Sequence, residues 1–224
     1  MKSPIGLIID QTTEIERVLR PDEEKNDQFR QLRQTYNEQW NIVGLRKGCE
    51  METLEAIKTR RSVRAYKPDM PAKELIDKVI EAGTWAPTGM GQQSPIIVAV
   101  TNKELRDELS QMNAEIFGRP GTDPFYGAPV VLVVLADKSM PTHVYDGSLV
   151  MGTMMLAAHD LGLSSCWIHR AKEEFESERG KEILKELGIE GDYEGIGHCV
   201  LGYAADDAAP VAKPRKESWV YWAE

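Results

Sequence analysis

The chain has 224 residues, of which 42% are apolar, and its 36 acidic and 27 basic side chains leave a formal net charge of −9. That is enough apolar material for one sizeable core plus an extension, and the acidic balance excludes nucleic acid or an anionic membrane surface as the main partner. The cysteines (Cys49, Cys166, Cys199) are odd in number and form no CxxC, which predicts reduced thiols in a cytoplasmic protein.

The histidines (His143, His159, His169, His198) show no metal-ligand spacing, so no metal is expected. Near the N-terminus the apolar run Ile5 to Ile9 is too short for a signal peptide and is followed at once by Asp10. No apolar stretch reaches the ~20 residues that span a bilayer.

Taken in chain order, residues 1–50 read as a helical extension. Thr13 and Glu16 have capping-box spacing, and Pro21 ends what they begin. Phe29, Leu32, Tyr36, Trp40 and Val43 then recur at helical spacing and form one apolar stripe. Such a stripe packs on its own domain or on a second subunit, and the pattern alone does not choose. Gly44 to Gly48 reads as a linker, and the main domain is expected over 51–224.

A short amphipathic helix is predicted over Thr53 to Thr59, followed by Arg60-Arg61-Ser62-Val63-Arg64. Three guanidinium groups and a hydroxyl within five residues, where a helix gives way to a loop, suit a small anionic ligand. The plain alternative is a solvated basic turn. A helix over Pro71 to Ala82 leads into a loop of small residues, Thr84 to Pro95. Ile96 to Val100 is a buried strand, and Asn102 caps the next helix. Gly118 to Gly127 reads as a mobile loop of lid type.

Val130 to Ala136 is a second buried strand, and residues 143–161 form a helix apolar on nearly all sides, suited to a core or a dimer interface. Ser164 to His169 is a third strand, a charged helical segment runs to Leu187, and Gly195 to Tyr203 is a fourth strand. The tail carries Lys213-Pro214-Arg215 and an aromatic end, Trp219 to Trp222. Helices alternating with short β-branched strands give a mixed α/β or α+β class. Gly195-Ile196-Gly197 is not a dinucleotide fingerprint, because the segment ends in a strand rather than opening a helix.

Five motifs in order carry a resemblance. They are Arg60-Arg61-Ser62-Val63-Arg64; Ala86-Pro87-Thr88-Gly89-Met90 with Gln93; Leu161 to Ile168; Gly197 to Tyr203; and Lys213-Pro214-Arg215. Over residues 51–224 the chain resembles the nitroreductase family of flavin enzymes. The resemblance implies an α+β fold, a three-layer α/β/α sandwich with a mostly antiparallel central sheet. It also implies a homodimer with FMN at the dimer interface and NAD(P)H as co-substrate. The small-molecule electron acceptor would be a nitroaromatic, a quinone or a similar flat compound.

It further implies a role for each cluster. Arg60 and Ser62, joined by Lys213 and Arg215, would hold the FMN phosphate, and Arg61 would serve the ribityl chain or phosphate. Arg64 would lie near N1 and O2 of the ring. Pro87, Thr88 and Gly89 would reach the ring from the other subunit, with Gln93 nearby. Trp167, Ile168 and His169 would line the flavin, with the Ile168-His169 backbone near N5.

No amino-acid nucleophile is implied, since the flavin carries the chemistry, with Arg64 or His169 as an electrostatic or proton-donating helper. The chain departs from the family pattern at Gly91, where many relatives have asparagine, at Ser94-Pro95, and at His169-Arg170. Reductive dehalogenation, a flavin-fragmenting reaction and a non-catalytic flavin-binding role are the competing readings on this fold.

Overall fold

A computed structural model of the chain describes residues 52–206, 208 and 210–223. These lie in the second of the two units into which the chain divides, Met51–Glu224. The helix expected over 22–43 falls outside the described residues.

The elements run α1 (Thr53–Thr59), α2 (Lys73–Thr84), a 3-10 turn (Gly89–Gly91), β1 (Pro95–Val100), α3 (Lys103–Ile116), β2 (Val130–Asp137), α4 (His143–Asp160), β3 (Ser164–Ile168), α5 (Ala171–Glu176), α6 (Glu178–Glu186) and β4 (Tyr193–Gly202). The strands form one sheet in the order β1-β2-β4-β3, every pair antiparallel. β2 is the central apolar strand. Its residues alternate between two buried clusters, as the period-2 geometry of a strand requires.

Val131, Val133 and Leu135 pack with Leu109 of α3, Phe125, Ala171 and Phe175 of α5, and Ile183 and Leu184 of α6. Val130, Leu132, Val134 and Ala136 pack with Ile76 and Val79 of α2 and with Val150, Met151, Met154 and Ala158 of α4. The sheet is therefore the middle layer of an α/β/α sandwich, as expected.

Local chemistry sets the ends of the elements. Asn102 Oδ1 accepts from Leu105 N at 2.8 Å and caps α3. The charged stretch expected as one helix is two, because Ser177 interrupts it. Its backbone is extended, and its Oγ accepts from Gly180 N at 3.0 Å to start α6. The expected mobile loop is tied down in its second half. Asp123 accepts from Arg106 Nη2 and Ser110 Oγ, both at 2.6 Å, and from Gly127 N at 2.7 Å, while Phe125 is fully buried. Among the described residues no helix is long and apolar enough to cross a membrane, and no cluster of His, Cys, Asp or Glu is arranged to hold a metal ion.

Candidate functional site

Residues 62–67 leave α1 in extended form and are fastened to the far edge of the sheet. Val63 N donates to Ser165 O at 3.2 Å, Lys67 N to Tyr203 O at 2.9 Å and Ala205 N to Ala65 O at 3.0 Å. The tail thus leaves β4 alongside the basic segment. The two stretches together line a cleft of about 920 Å³ bordered by Arg60, Arg61, Ser62, Arg64, Lys213 and Arg215. Basic groups about 150 positions apart in the sequence meet because residues 65–67 pair with 203–205.

The neighbouring arginines are held differently. Arg61 Nη1 donates to Lys58 O at 2.6 Å and to Arg60 O at 2.8 Å, so it caps the last carbonyls of α1. Arg60 Nη1 is buried and has no hydrogen-bond partner among the described residues. A buried guanidinium nitrogen left unpaired is costly, and an anion in the cleft removes that cost. Arg64 is exposed at the cleft. Cys166 lies behind this wall. Burial pushes its thiol above the ordinary range, with Arg64, a hydrogen bond to Ser62 and Arg60 pulling the other way.

Thr88 and Gln93 border a second, smaller cavity of about 300 Å³ with Ile80, Ala86, Ile97 and Val150. Pro87 is exposed and Gly89 partly so in the same loop. A single chain therefore does not bring this loop to the arginine cleft. The loop is nonetheless strongly shaped. Met90 and Gln93 both adopt left-handed backbone, with φ of 53° and 52°. Its organiser is Asp146, which the sequence reading missed. This residue is buried in the first turn of α4 and accepts from Gly89 N at 2.9 Å, Ser94 Oγ at 2.9 Å and Thr142 Oγ1 at 3.0 Å. Burial works to raise its pKa, but these hydrogen bonds outweigh burial and hold the carboxyl below the usual carboxylate range. The available signal was a lone carboxylate opening an otherwise apolar helix.

At the end of β3, Ile168 packs into one core and Trp167 against the other. The indole fits because position 197 is glycine: a Cβ there would lie 2.4 Å from Trp167 Nε1. These two side chains belong to the cores, which leaves their backbone and residues 169–170 as the part able to meet a ligand. His169 is exposed, and Arg170 is left-handed with φ 82°.

With this geometry in view, comparisons with known proteins are informative. A family model described as "Nitroreductase family" matches residues 57–203. A protein of Methanothermobacter thermautotrophicus, which carries the provisional name NADH dehydrogenase/NAD(P)H nitroreductase, is 34% identical over 125 residues, 54% of this chain and 62% of that protein. The chain thus matches less than two thirds of that relative's length. A nitroreductase with bound FMN from Bacteroides fragilis NCTC 9343 superposes with a TM-score of 0.71 at 28% identity, covering 78% of this chain and 100% of the other. Another with bound FMN, from Desulfitobacterium hafniense DCB-2, gives 0.68 at 31% identity, covering 77% and 100%.

Proposed function

The chain belongs to the nitroreductase family, and on that premise we propose that it is an FMN-dependent oxidoreductase taking hydride from NAD(P)H and reducing a nitroaromatic, a quinone or a similar flat acceptor. The observation that carries the reading is Arg60, whose buried Nη1 has no partner among the described residues, in a cleft that also presents Ser62, Lys213 and Arg215. Three cations and a hydroxyl suit a terminal phosphate dianion, since each charge-assisted hydrogen bond contributes ~1.5–3 kcal/mol. The FMN in the two similar structures supports the choice of flavin.

FMN, when bound, supplies the hydride-accepting N5. The chain's own groups bind and orient it. Arg60, Ser62, Lys213 and Arg215 hold the phosphate. Arg61, with Nη1 engaged on backbone carbonyls, would serve the ribityl chain or phosphate through its remaining donors. Arg64, exposed at the cleft, would supply positive charge near N1 and O2 of the ring and favour hydride acceptance. The backbone of Ile168 and His169, beside Trp167, would lie near N5.

Pro87, Thr88 and Gly89, with Gln93, complete the ring site from a second subunit, which makes the homodimer part of the proposal. The exposed apolar residues Val144, Tyr145 and Leu149 on α4, and Trp85 and Met90 around the loop, are consistent with such an interface. The free, buried Cys166 and Cys199 are in keeping with a cytoplasmic setting.

The test is the absorbance spectrum of the purified protein followed by anaerobic titration with NADPH and NADH. A yellow protein bleached stoichiometrically by either, releasing FMN on denaturation, is the expected result. FAD in the released fraction, or no flavin after reconstitution, overturns the proposal. An acceptor panel then separates nitro and quinone reduction from dehalogenation.

A further inference from the structure

Three polar side chains meet in the apolar layer between β4 and helices α3 and α5. Asn113 is 2% exposed, and Glu174 and His198 are 0% exposed. His198 Nε2 lies 2.9 Å from Glu174 Oε2, and Asn113 Nδ2 donates to Glu174 Oε1 at 2.5 Å. Asn113 Nδ2 also donates to the carbonyl of His169 at 2.7 Å. Both protons of one amide nitrogen are thereby engaged, and both acceptors are oxygens, which fixes which end of the amide faces them. His198 is itself held on the sheet, opposite Ile168 in the β3–β4 register and 5.1 Å from the Phe125 ring centroid.

Such a cluster is costly to bury and adds no apolar contact. Its output is the orientation of one peptide. The bond between His169 and Arg170 is trans, so its N–H points opposite to its C=O. Drawing the His169 carbonyl inward to Asn113 aims the Arg170 N–H away from the core. That N–H donates no hydrogen bond among the described residues. The left-handed turn at Arg170 immediately follows, between the end of β3 and the start of α5.

We propose that Asn113, oriented by Glu174 and His198, is a positioning residue for the flavin reaction: it locks the 169–170 peptide so that a backbone donor faces the N5 edge. The inference rests on the placement of 168–169 beside N5 under the proposed function. Glu174 Oε1 orients Asn113 by accepting from its Nδ2. A glutamine at 174 keeps an oxygen that can accept from Asn113 Nδ2, so the orientation of Asn113 survives Glu174→Gln and not Glu174→Leu.

The test uses the full chain loaded with FMN and the variants Asn113→Ala, Glu174→Leu and Glu174→Gln. Asn113→Ala and Glu174→Leu should slow flavin reduction by saturating NADPH about tenfold, the effect of one lost transition-state hydrogen bond, and shift the flavin midpoint potential. Their affinity for FMN should stay within threefold of wild type, because the phosphate cleft is untouched. Glu174→Gln should match wild type in rate. A folded Asn113→Ala protein with unchanged rate and potential overturns the proposal, as does Glu174→Gln behaving like Glu174→Leu. If Glu174→Leu does not fold, Asn113→Ala decides. If wild type takes up no flavin, the FMN reading fails separately, and amide exchange decides this one: equal exchange at Arg170 N–H in flavin-free wild type and Asn113→Ala overturns it.

Discussion

Arg60 and Arg61 are adjacent, carry the same side chain and do different work. The chain direction at the end of α1 buries one guanidinium nitrogen, Arg60 Nη1, with no partner among the described residues, and turns the Arg61 guanidinium back onto the helix carbonyls. Replacing Arg60 by alanine should therefore weaken FMN binding by ~1.5–3 kcal/mol, roughly ten- to a hundredfold, and Arg215→Ala should do the same. Arg61→Ala should cost less than either. Arg64→Ala should retain most of the binding but slow hydride uptake and lower the flavin potential. Fluorescence titration with FMN and stopped-flow reduction check the set, and equal behaviour of all four would refute this division of labour. The arginine cluster was legible in the sequence as a candidate anion site. The difference between its members was not, because it depends on backbone direction rather than on residue type or spacing.

At the scale of elements, hydrophobic period and punctuation located the strands and helices closely. Val130 to Ala136 was read as a strand and the structure extends it by Asp137; Asn102 was read as a cap and is one. What the pattern concealed were features set by contacts between distant elements. Asp146 is such a feature, since its partners come from a loop more than 50 positions earlier and from Thr142. The Asn113–Glu174–His198 cluster is another, built from three elements none of which shows it alone.

Asp146 also makes a measurable prediction. Its carboxyl is held below its unfolded value of ~3.9, so its contribution to stability is fully present above that pH. The contribution is lost as pH falls through the lower folded-state value. Asp146→Asn should thus be less stable than wild type by about 1–3 kcal/mol at pH 7, with the gap narrowing in acid. Urea unfolding of both proteins at pH 7 and pH 3 measures this. A gap that is constant with pH would mean that the ionised carboxylate is not what holds the 88–94 loop.

At the scale of the whole molecule, the sandwich is complete as a fold, and the proposed site needs a second copy to complete it. The 88–94 loop and the arginine cleft border different cavities of one chain. α4 buries Val150, Met151 and Met154 on one side and exposes Val144, Tyr145 and Leu149 on another, which explains why its sequence read as apolar all round. The mixed α/β or α+β class was legible from the sequence pattern and the layer architecture followed from the family resemblance, while strand order was not legible, because antiparallel pairing of β2 with the last strand is a long-range choice. If the exposed α4 face is the dimer interface, Leu149→Glu should shift the protein to monomer in sedimentation and reduce FMN retention together. A dimer that survives this change would place the interface elsewhere.

Residues 1–50 are a separate matter, since the proposed FMN groups all lie after Glu52. In the sequence Phe29, Leu32, Tyr36, Trp40 and Val43 recur as one apolar stripe. Removing residues 1–50 should then leave a flavin-binding, NAD(P)H-oxidising dimer, because no proposed ligand is lost. It should melt at a lower temperature, since each large apolar side chain buried contributes ~1.5–3 kcal/mol. A truncated protein that loses FMN or becomes monomeric would show that the segment belongs to the site or the core. An unchanged melting temperature would show that the stripe packs on nothing.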